Sequence, residues 1–583
     1  MRAFQTALKP SRILNILTIS LHSASIAVCL TWFYGRMMWF GLAALLASFI
    51  HSLRITNLKN HCAITAITID RDGQAEIVSG KEKTAKAAAL AGSSMVTPYA
   101  LFLQWDTGGK TVRHCITPDM ADKESYRRLK VWVLWRQPKK PPKPIRQADF
   151  RRHLNTEHSM KTLQDWLSHL ETAHSGGLID MGLERVGEVK KRMKLEPQCP
   201  VVVVAGTNGK GSVCAYLTQI YKQAGYKTGT LTSPHLLRYN ERIAINGEPV
   251  ADEGIIRSFE RIEAARGEIS LTYFEFNALA AVDIFIREQV DVMILEVGLG
   301  GRLDAVNVFD GDCAVVTSVD LDHQAFLGDT VEQVGFEKAG VFRSGKPAIC
   351  GQNPAPESLV AHAEAIGAKL LMVQRDFEFH AMENIQWNYR FRPQHSDGPA
   401  RNRNALPFPA LRGAYQLSNA ACALTVLECL NDKLPADIGA IKRGLLLVEN
   451  PGRFQVLPGR PLTVLDVGHN PHAARALRRS LMNLAFAQKR TAVFSMLSDK
   501  DIGGVLEIVK DQFDEWYIAP LDVPRGMTLE SLQDKLHEHG IENIQTFAAV
   551  REAYRAAASK AGENDRIVVF GSFHTVADVM SVL

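Results

Sequence analysis

Hydrophobic and polar positions change their rhythm along the chain. Residues 13–34 are almost continuously apolar (ILNILTISLHSASIAVCLTWFY), and after Gly35 and Arg36 a second apolar run fills 37–53. Each approaches the roughly 20 residues that cross a bilayer as a helix. The short polar break between them predicts a tight helical hairpin. Between about 63 and 135 the period falls to two. ITAITIDRDGQAEIV alternates on either side of an Asp-Gly turn signal, and YALFLQWDTGGKTVRHCIT does so around Gly-Gly. The basic amphipathic stretch SYRRLKVWVLWR follows. This predicts a small β-rich unit. From about residue 160 short apolar runs alternate with helical periods. KTLQDWLSHLE sets Leu163, Trp166, Leu167 and Leu170 on one helical face. VVVVA, DVMILEVGLG, CAVVTSVD, TVLDVGH, TAVFSM and RIVVFGS read as buried strands with loop chemistry at their C-terminal ends. That order predicts parallel α/β sheets with sites beyond the strand ends.

A chain of 583 residues exceeds one ordinary core. The expected division is a transmembrane hairpin (1–60), a β-rich cytoplasmic unit (61–136), a linker (137–159) and two α/β domains (160–450 and 451–583). The linker segment QPKKPPKPIRQADFRR carries four prolines and reads as an extended, solvated spacer. Its charge near a membrane also suits anionic lipid. Lys9 and Arg12 precede the first apolar run, Arg54 and Lys59 follow the second, and Arg36 alone sits in the turn. The positive-inside tendency therefore puts both ends in the cytoplasm, with the chain tethered to the inner membrane. A cleaved signal peptide is a rival, weakened by the second run and the lack of a small-x-small site. A hairpin buried in a soluble core is another. The net charge of +5 comes from local clusters and does not argue for nucleic acid. Nine scattered cysteines without a C-x-x-C pair imply neither a zinc site nor a disulfide framework, and suit a reducing cytosol. The hairpin, the β unit and the closing aromatic stretch together resemble the YgfX-type small bacterial inner-membrane proteins over about 1–137. No acid/base pair, nucleophile or metal cluster is legible there.

The strongest chemical signal is VVVVAGTNGKGS at 201–212. A buried strand feeds a glycine-rich turn, and a helix is expected to begin near Ser212. Backbone N–H groups at such a turn, with the helix N-terminus, make an anion site. Gly206, Gly209 and Gly211 let the backbone approach phosphate, Lys210 neutralises its charge, and Ser212 can reach a magnesium ion. The strict P-loop is G-x-x-x-x-G-K-[ST]. Here Val204 stands in place of the first glycine, and Gly211 separates the lysine from the hydroxyl.

G-T-N-G-K-G-[ST] is the nucleotide loop of the Mur ligase superfamily, and further blocks follow in order. They are LTSPHLLRYNE at 231–241, LTYFEF at 271–276, LEVGLGGRLDAVN at 295–307, SVDLDHQAFLG at 318–328 and EKAGVF at 337–342. PGRFQ at 451–455, DVGHNPH at 466–472 and FGSFHT at 570–575 complete the set. From about 160 to 583 the chain resembles the bifunctional dihydrofolate synthase/folylpolyglutamate synthases. The resemblance implies a Mur-ligase-like P-loop domain and a Rossmann-like C-terminal domain. It implies ATP at Gly206, Thr207, Asn208, Gly209, Lys210, Gly211, Ser212, Asn419, Arg453 and Asp466. It implies magnesium at Ser233, Glu296 and His323, and a carbamylated Lys338 that adds an anionic ligand. It implies dihydropteroate against Gly177, Leu178, Ile179, Asp180, Thr272, Leu303, Asp304 and Ala305. Lys210, His323 and Lys338 are the residues expected to carry catalysis. The family often has Ala at Gly468 and Thr at Gln324; the second departure leaves the surroundings of the metal open.

The chemistry implied is ATP-dependent attachment of L-glutamate to dihydropteroate and to reduced folates by a monomeric ligase part. A carboxylate oxygen leaves poorly, so ATP first makes an acyl phosphate, which the amine of glutamate attacks. The protein's help is then positional and electrostatic. The nearest rival is a folylpolyglutamate synthase alone; GLIDMGLERV at 177–186 favours both activities. A cell-wall Mur ligase is a second rival, opposed by the TYFEF and GSFHT blocks. A membrane interaction protein with a dead ligase is a third, opposed by intact Lys210, Ser233, Glu296, His323 and Lys338.

Overall fold

The computed structural model describes residues 4–32, 35–58, 63–70, 75–79, 85–90, 94–96, 100–107, 111–122, 125–126, 129, 133, 162–173, 180–382, 386–394, 400–523 and 525–583. The chain divides into two compact units, Met1–Glu157 and His158–Leu583. The expected linker at 137–159, and Gly177, Leu178 and Ile179, lie outside the described residues.

In the smaller unit, strand β1 (Phe4–Ala7) precedes two helices, Arg12–Trp32 and Gly35–Thr56. Strands β2 (Ile64–Ile69), β3 (Ala75–Ser79), β4 (Ala85–Leu90), β5 (Met95–Val96), β6 (Leu101–Asp106) and β7 (Thr111–Ile116) follow. All pair antiparallel in the order β1-β2-β3-β4-β6-β5, with β7 on β6. The expected division at residue 60 is not kept at the N-terminus. β1 lies before the hairpin yet pairs with β2, so the segment ahead of the hairpin belongs to the sheet of the β unit. Asp119, beyond β7, accepts from Ser11 Oγ at 3.0 Å and from the Ile13 N–H at 3.1 Å. It thereby satisfies an orphan donor at the start of the first helix.

The two helices are long and apolar enough to cross a membrane. They meet along a polar seam. Asn15 Nδ2 donates to Asn57 Oδ1 at 3.3 Å, and His22 Nε2 lies 3.2 Å from Ser48 Oγ. A Cβ on Gly41 would stand 2.7 Å from Cys29 Sγ, so glycine there permits the close approach. Ile16, Leu21, Trp39 and Phe40 face outward.

The larger unit opens with the helix Leu163–Ala173, whose Leu163, Trp166 and Leu170 are buried as the sequence predicts. Its central strands are β8 (Val201–Ala205), β9 (Thr228–Leu231), β10 (Ile243–Ile245), β11 (Glu248–Pro249), β12 (Val292–Glu296), β13 (Cys313–Val316), β14 (Pro347–Cys350) and β15 (Lys369–Met372). They pair in the order β11-β10-β9-β12-β8-β13-β14-β15. From β9 to β15 the neighbours run parallel; β10 and β11 form an antiparallel edge. Val201, Val203 and Ala205 pack into one face of this sheet, Val202 and Val204 into the other. Burial on both faces explains a continuous run of valines where a one-sided strand would alternate.

A small antiparallel sheet follows, of β16 (Phe377–Met382), β17 (Gln386–Phe391) and β18 (Arg401–Pro407). The last sheet contains β19 (Gln455–Leu457), β20 (Leu462–Asp466), β21 (Arg490–Phe494), β22 (Glu515–Ile518), β23 (Ile544–Thr546) and β24 (Arg566–Phe570). Its order is β19-β20-β24-β21-β22-β23, parallel apart from β19. Buried apolar clusters cover both its faces.

Each unit thus has a core of its own, and that generates a prediction. A protein comprising residues 160–583 alone is expected to be soluble and monodisperse, melting within a few degrees of the corresponding transition in the full chain. Light scattering and thermal circular dichroism check this. Insolubility of that fragment beside a well-behaved full chain would mean that the units share a core.

Candidate active site

The glycine loop is built by contacts with the segment after β13. The helix Lys210–Gln223 begins two residues earlier than Ser212, because Gly209, with φ of 89°, turns the chain straight into it. Gly206 has φ of 148°, and a Cβ there would stand 1.9 Å from Thr317 Oγ1. Thr317 Oγ1 donates to Asn208 O at 2.6 Å, and the Asn208 N–H donates to Ser318 Oγ at 3.0 Å. Lys210 Nζ donates to Gly206 O at 3.0 Å, curled back over the loop. Backbone amides, helix N-terminus and ammonium therefore share one spot, which suits phosphate.

Two cavities meet there. The larger, about 490 Å³, holds Lys210, Ser233, Glu296, His323 and Lys338 in its lining. Asp180, Thr272, Leu303, Asp304 and Ala305 line it as well. The smaller, about 380 Å³, is lined by Ser212, Asn419 and Asp466. Asn208, Gly209 and Arg453 line both. A Cβ on Gly211 would lie 3.8 Å from Arg453 and from Glu296. Ser212 stands on the smaller cavity's side, its Oγ accepting from Gln416 Nε2 at 3.3 Å. Of the described residues that the sequence nominated, all but Gly211 line one cavity or the other.

Strand order explains the gathering. Ser233 follows β9, Glu296 ends β12, the glycine loop follows β8, and His323 lies beyond β13. These strands are neighbours in the sheet. Lys338 comes from the helix Val331–Ala339. Thr272 caps the helix Tyr273–Arg287, accepting from the Glu275 N–H at 3.2 Å while Glu275 Oε2 accepts the Thr272 N–H at 2.7 Å. This capping box fixes the cavity wall. Arg185 Nη1 holds Asp180 Oδ2 at 2.7 Å.

Burial shifts the charges. It pushes the Lys338 ammonium down to about 7, with Lys210 adding repulsion against the pull of Asp322 and Asp304. The Lys338 side chain makes no hydrogen bond or ion pair among the described residues, and only 4% of the residue is exposed. Burial pushes the Asp304 carboxyl up to about 7, although the N–H groups of Leu299 and Val306 oppose this. Burial also raises Glu296 against the pull of Lys210 and Arg453. His323 falls to about 4 through burial, which Asp322 opposes and Lys500, Lys210 and Lys338 reinforce. Its imidazole is neutral near pH 7, the form that binds metal.

Among the described residues no three His, Cys, Asp or Glu side chains form a ready metal cage. Magnesium needs none, since it takes one or two protein oxygens and completes its shell with phosphate and water. Buried Glu296, whose Oε2 accepts the Ser233 N–H at 3.2 Å, and neutral His323 fit such a partial site.

Several residues here escaped the sequence reading. Arg242 lines the larger cavity and donates to His235 Nδ1 at 2.7 Å. Lys500 Nζ lies 2.8 Å from Asp322 Oδ1 and 3.4 Å from His323 Nε2. Phe274 and Arg525 line the same cavity. Their signals were thin: an arginine just past the LTSPHLLRYNE block, and a lysine in LSDKD after β21. His469, given no role from sequence, donates from Nδ1 to Val467 O at 2.9 Å and is buried beside Asp322.

Comparisons with known proteins agree with this layout. A family model for the Mur ligase middle domain matches residues 204–427, and one for the Mur ligase glutamate ligase domain matches 452–573. A third, for the membrane-bound toxin component of a toxin-antitoxin system, matches 2–137. The chain is 44% identical over 432 residues to the dihydrofolate synthase/folylpolyglutamate synthase of Escherichia coli K12, covering 73% of this chain and 97% of that one. A solved structure of the E. coli protein FolC with DHPP and ADP is similar at 43% identity and a TM-score of 0.67, over 72% of this chain and 97% of that one. A solved bifunctional folylpolyglutamate synthase/dihydrofolate synthase with Mn, AMPPNP and L-glutamate bound is similar at 44% identity and a TM-score of 0.66, over 72% and 98% respectively.

The loop geometry predicts that Gly206→Ala weakens binding of an adenine nucleotide by about tenfold or more, through strain at positive φ and the clash with Thr317. Calorimetric titration with a non-hydrolysable ATP analogue measures this. Unaltered affinity in a folded variant would show that the loop does not hold the phosphates.

Proposed function

Because this chain belongs to the dihydrofolate synthase/folylpolyglutamate synthase family of Mur ligases, we propose that it joins L-glutamate to dihydropteroate and to reduced folates at the expense of ATP. The observation that carries this reading is the junction of the two cavities at Asn208, Gly209 and Arg453. ATP lies in the smaller cavity with its phosphates at the glycine loop, and the carboxylate substrate lies in the larger one. Arg453 and Asp466 reach the nucleotide from the last sheet, and Asn419 from the helix Gln416–Cys429.

The substrate carboxylate attacks the γ-phosphorus, ADP departs, and an acyl phosphate forms. The glutamate amine then attacks the acyl carbon, and inorganic phosphate leaves with the C–O electron pair. Lys210 and the loop amides offset charge on the phosphates. Thr272, Asp304 and the 303–305 turn hold the pterin-linked end, with Asp180. Glu296, Ser233 and His323 would hold a magnesium ion, which supplies positive charge beside the phosphate oxygens.

Lys338 takes the further step of reacting with carbon dioxide to become a carbamate. Three features support this: burial, no side-chain partner among the described residues, and an amine held near 7, so that much of it is uncharged and nucleophilic at neutral pH. The carbamate turns a second cation beside Lys210 into an anionic oxygen donor. The N-terminal hairpin ties the enzyme to the cytoplasmic membrane, with the larger unit in the cytoplasm. The match at 2–137 and two exposed apolar helices support that placement.

Turnover of ATP to ADP should require dihydropteroate and L-glutamate together, and a uridine-linked cell-wall precursor should not replace dihydropteroate. Lys210→Ala should abolish it, by roughly 3 kcal/mol or more of lost transition-state stabilisation. Lys338→Ala should be severely slowed and partly restored by acetate or formate, whereas Lys210→Ala should not respond. A Lys338→Ala enzyme with undiminished turnover, or one indifferent to added carboxylate, would refute the carbamate.

In membrane fractions the full chain should sediment and resist high salt, while residues 160–583 stay in the supernatant. Recovery of the full chain in the supernatant would remove the membrane placement and leave the ligase reading intact.

A further inference from the structure

The segment after β13, residues 317–323, makes two sets of contacts. On one side it holds the glycine loop. Thr317 Oγ1 and Ser318 Oγ donate to Asn208 O at 2.6 and 3.0 Å, and Thr207 Oγ1 donates to Asp320 O at 3.0 Å. On the other side it meets side chains from the last sheet's layer. Arg475 donates to Asp320 Oδ2 at 2.5 Å, Lys500 Nζ to Asp322 Oδ1 at 2.8 Å, and Asn470 Nδ2 to Asp322 Oδ2 at 3.0 Å. Asn208 also crosses over, with Nδ2 3.2 Å from Asn470 Oδ1 and 2.7 Å from His472 Nδ1. The segment ends on His323, a non-glycine residue with φ of 50°. Asp322 Oδ1 accepts the His323 N–H at 2.8 Å and so holds that turn.

Burial separates the two ion pairs. The side chains of Lys500 and Asp322 are 9% and 13% exposed, against 45% and 26% for Arg475 and Asp320. Removing one partner of a buried, hydrogen-bonded pair strands the other charge, whereas an exposed pair contributes little. Asp322 is therefore the carboxylate on which the contact between the two sheets turns.

We propose that Asp322 is a positioning residue for ligation, fixing the turn that aims His323 into the cavity and, through Lys500 and Asn470, holding the C-terminal sheet docked on the nucleotide loop. Its activity arm rests on the ligase reading; its docking arm does not. The enzyme cannot then assemble its site without the docked sheet, because one carboxylate serves both.

The test is a double-mutant cycle on the full chain with Asp322→Ala and Lys500→Ala. Lys500→Arg serves as the conservative variant and Arg475→Ala as the exposed comparison. Asp322→Asn keeps the shape and removes the charge if the alanine variant folds poorly. Each single variant should lower kcat on the order of tenfold to a hundredfold. The double variant should fall within about threefold of the worse single one, since both delete the same contact. Lys500→Arg should recover most of the loss, and Arg475→Ala should stay within about threefold of wild type. Small-angle scattering of residues 160–583 with AMPPNP and magnesium should show a larger radius of gyration for Asp322→Asn than for wild type. Additive losses in the cycle, or an unchanged radius, would overturn the proposal. If wild type ligates no glutamate, the ligase reading fails, and the scattering comparison still decides the docking.

Discussion

Four neighbouring parallel strands, β9, β12, β8 and β13, run out at one level, and the chain must leave each of them at the same edge of the sheet. Strands lie about 4.8 Å apart, so the residues just beyond them are obliged to crowd. Ser233, Glu296, the glycine loop and the 317–323 segment meet for this reason, although more than a hundred positions separate Gly206 from His323. The pairing of β8 sets that level from below: Val203 lies opposite Leu295 of β12 and Ala314 of β13, so the loop that follows leaves the sheet beside the ends of both neighbours. The last sheet repeats the arrangement. DVGHNPH follows β20, LSDKD follows β21 and GSFHT follows β24, again on adjacent strands.

Crowding of this kind brings like charges together. Lys210, Lys338, Arg242, Arg453, Lys500 and Arg525 all line the larger cavity, against the carboxylates Asp180, Glu275, Glu296, Asp304 and Asp322. Some of these are spoken for: Asp322 by Lys500, Asp180 and Glu275 by Arg185. The remaining cationic excess suits a polyanion such as ATP beside a carboxylate substrate. It also explains why Lys338, buried near Lys210 and with no side-chain partner among the described residues, is held well below an ordinary lysine. An ammonium in that position is costly, and a neutral amine or an anionic adduct relieves the cost.

What could be read from the sequence follows from these facts. Lys210 could be read from the glycine loop itself, whereas Ser233, Glu296, His323, Lys338, Arg453 and Asp466 were nominated because their short motifs resemble a family's; all seven line the two cavities. The α/β alternation was legible because strands buried on both faces give unbroken apolar runs. Residues whose importance lies in a tertiary contact were not. Lys500 in LSDKD reads as a surface charge until Asp322 is found opposite it, and Arg242 reads as one more basic residue in a loop. β1 was hidden because FQTA is short and borders the first apolar run. The sheet β16-β17-β18 was hidden because its strands, FEFHAM, QWNYRF and RNRNALP, carry too many polar residues at their edges to alternate cleanly. Gly177, Leu178 and Ile179 were nominated from a motif and lie outside the described residues.

The hairpin inverts the usual order of a soluble helix pair, and the proposed membrane placement rests physically on that inversion. Its contacts fall at Asn15, His22 and Cys29 on one helix, seven residues apart, and at Gly41 and Ser48 on the other, again seven apart, with Asn57 just past its end. Seven-residue spacing keeps one seam facing its partner along an antiparallel pair. The seam is small and polar, while Trp39 and Phe40 on the outside are 68% and 73% exposed. In water such a pair gains little by closing and leaves its largest apolar surfaces wet, at about 25 cal/mol per Å². In a bilayer the balance reverses. The outward side chains meet acyl chains, small residues allow close approach, and Asn15 and His22 find polar partners across the seam. Asp119 and Ser11 then sit at the start of the first helix, where a β unit in water can supply the cap that hydrocarbon cannot.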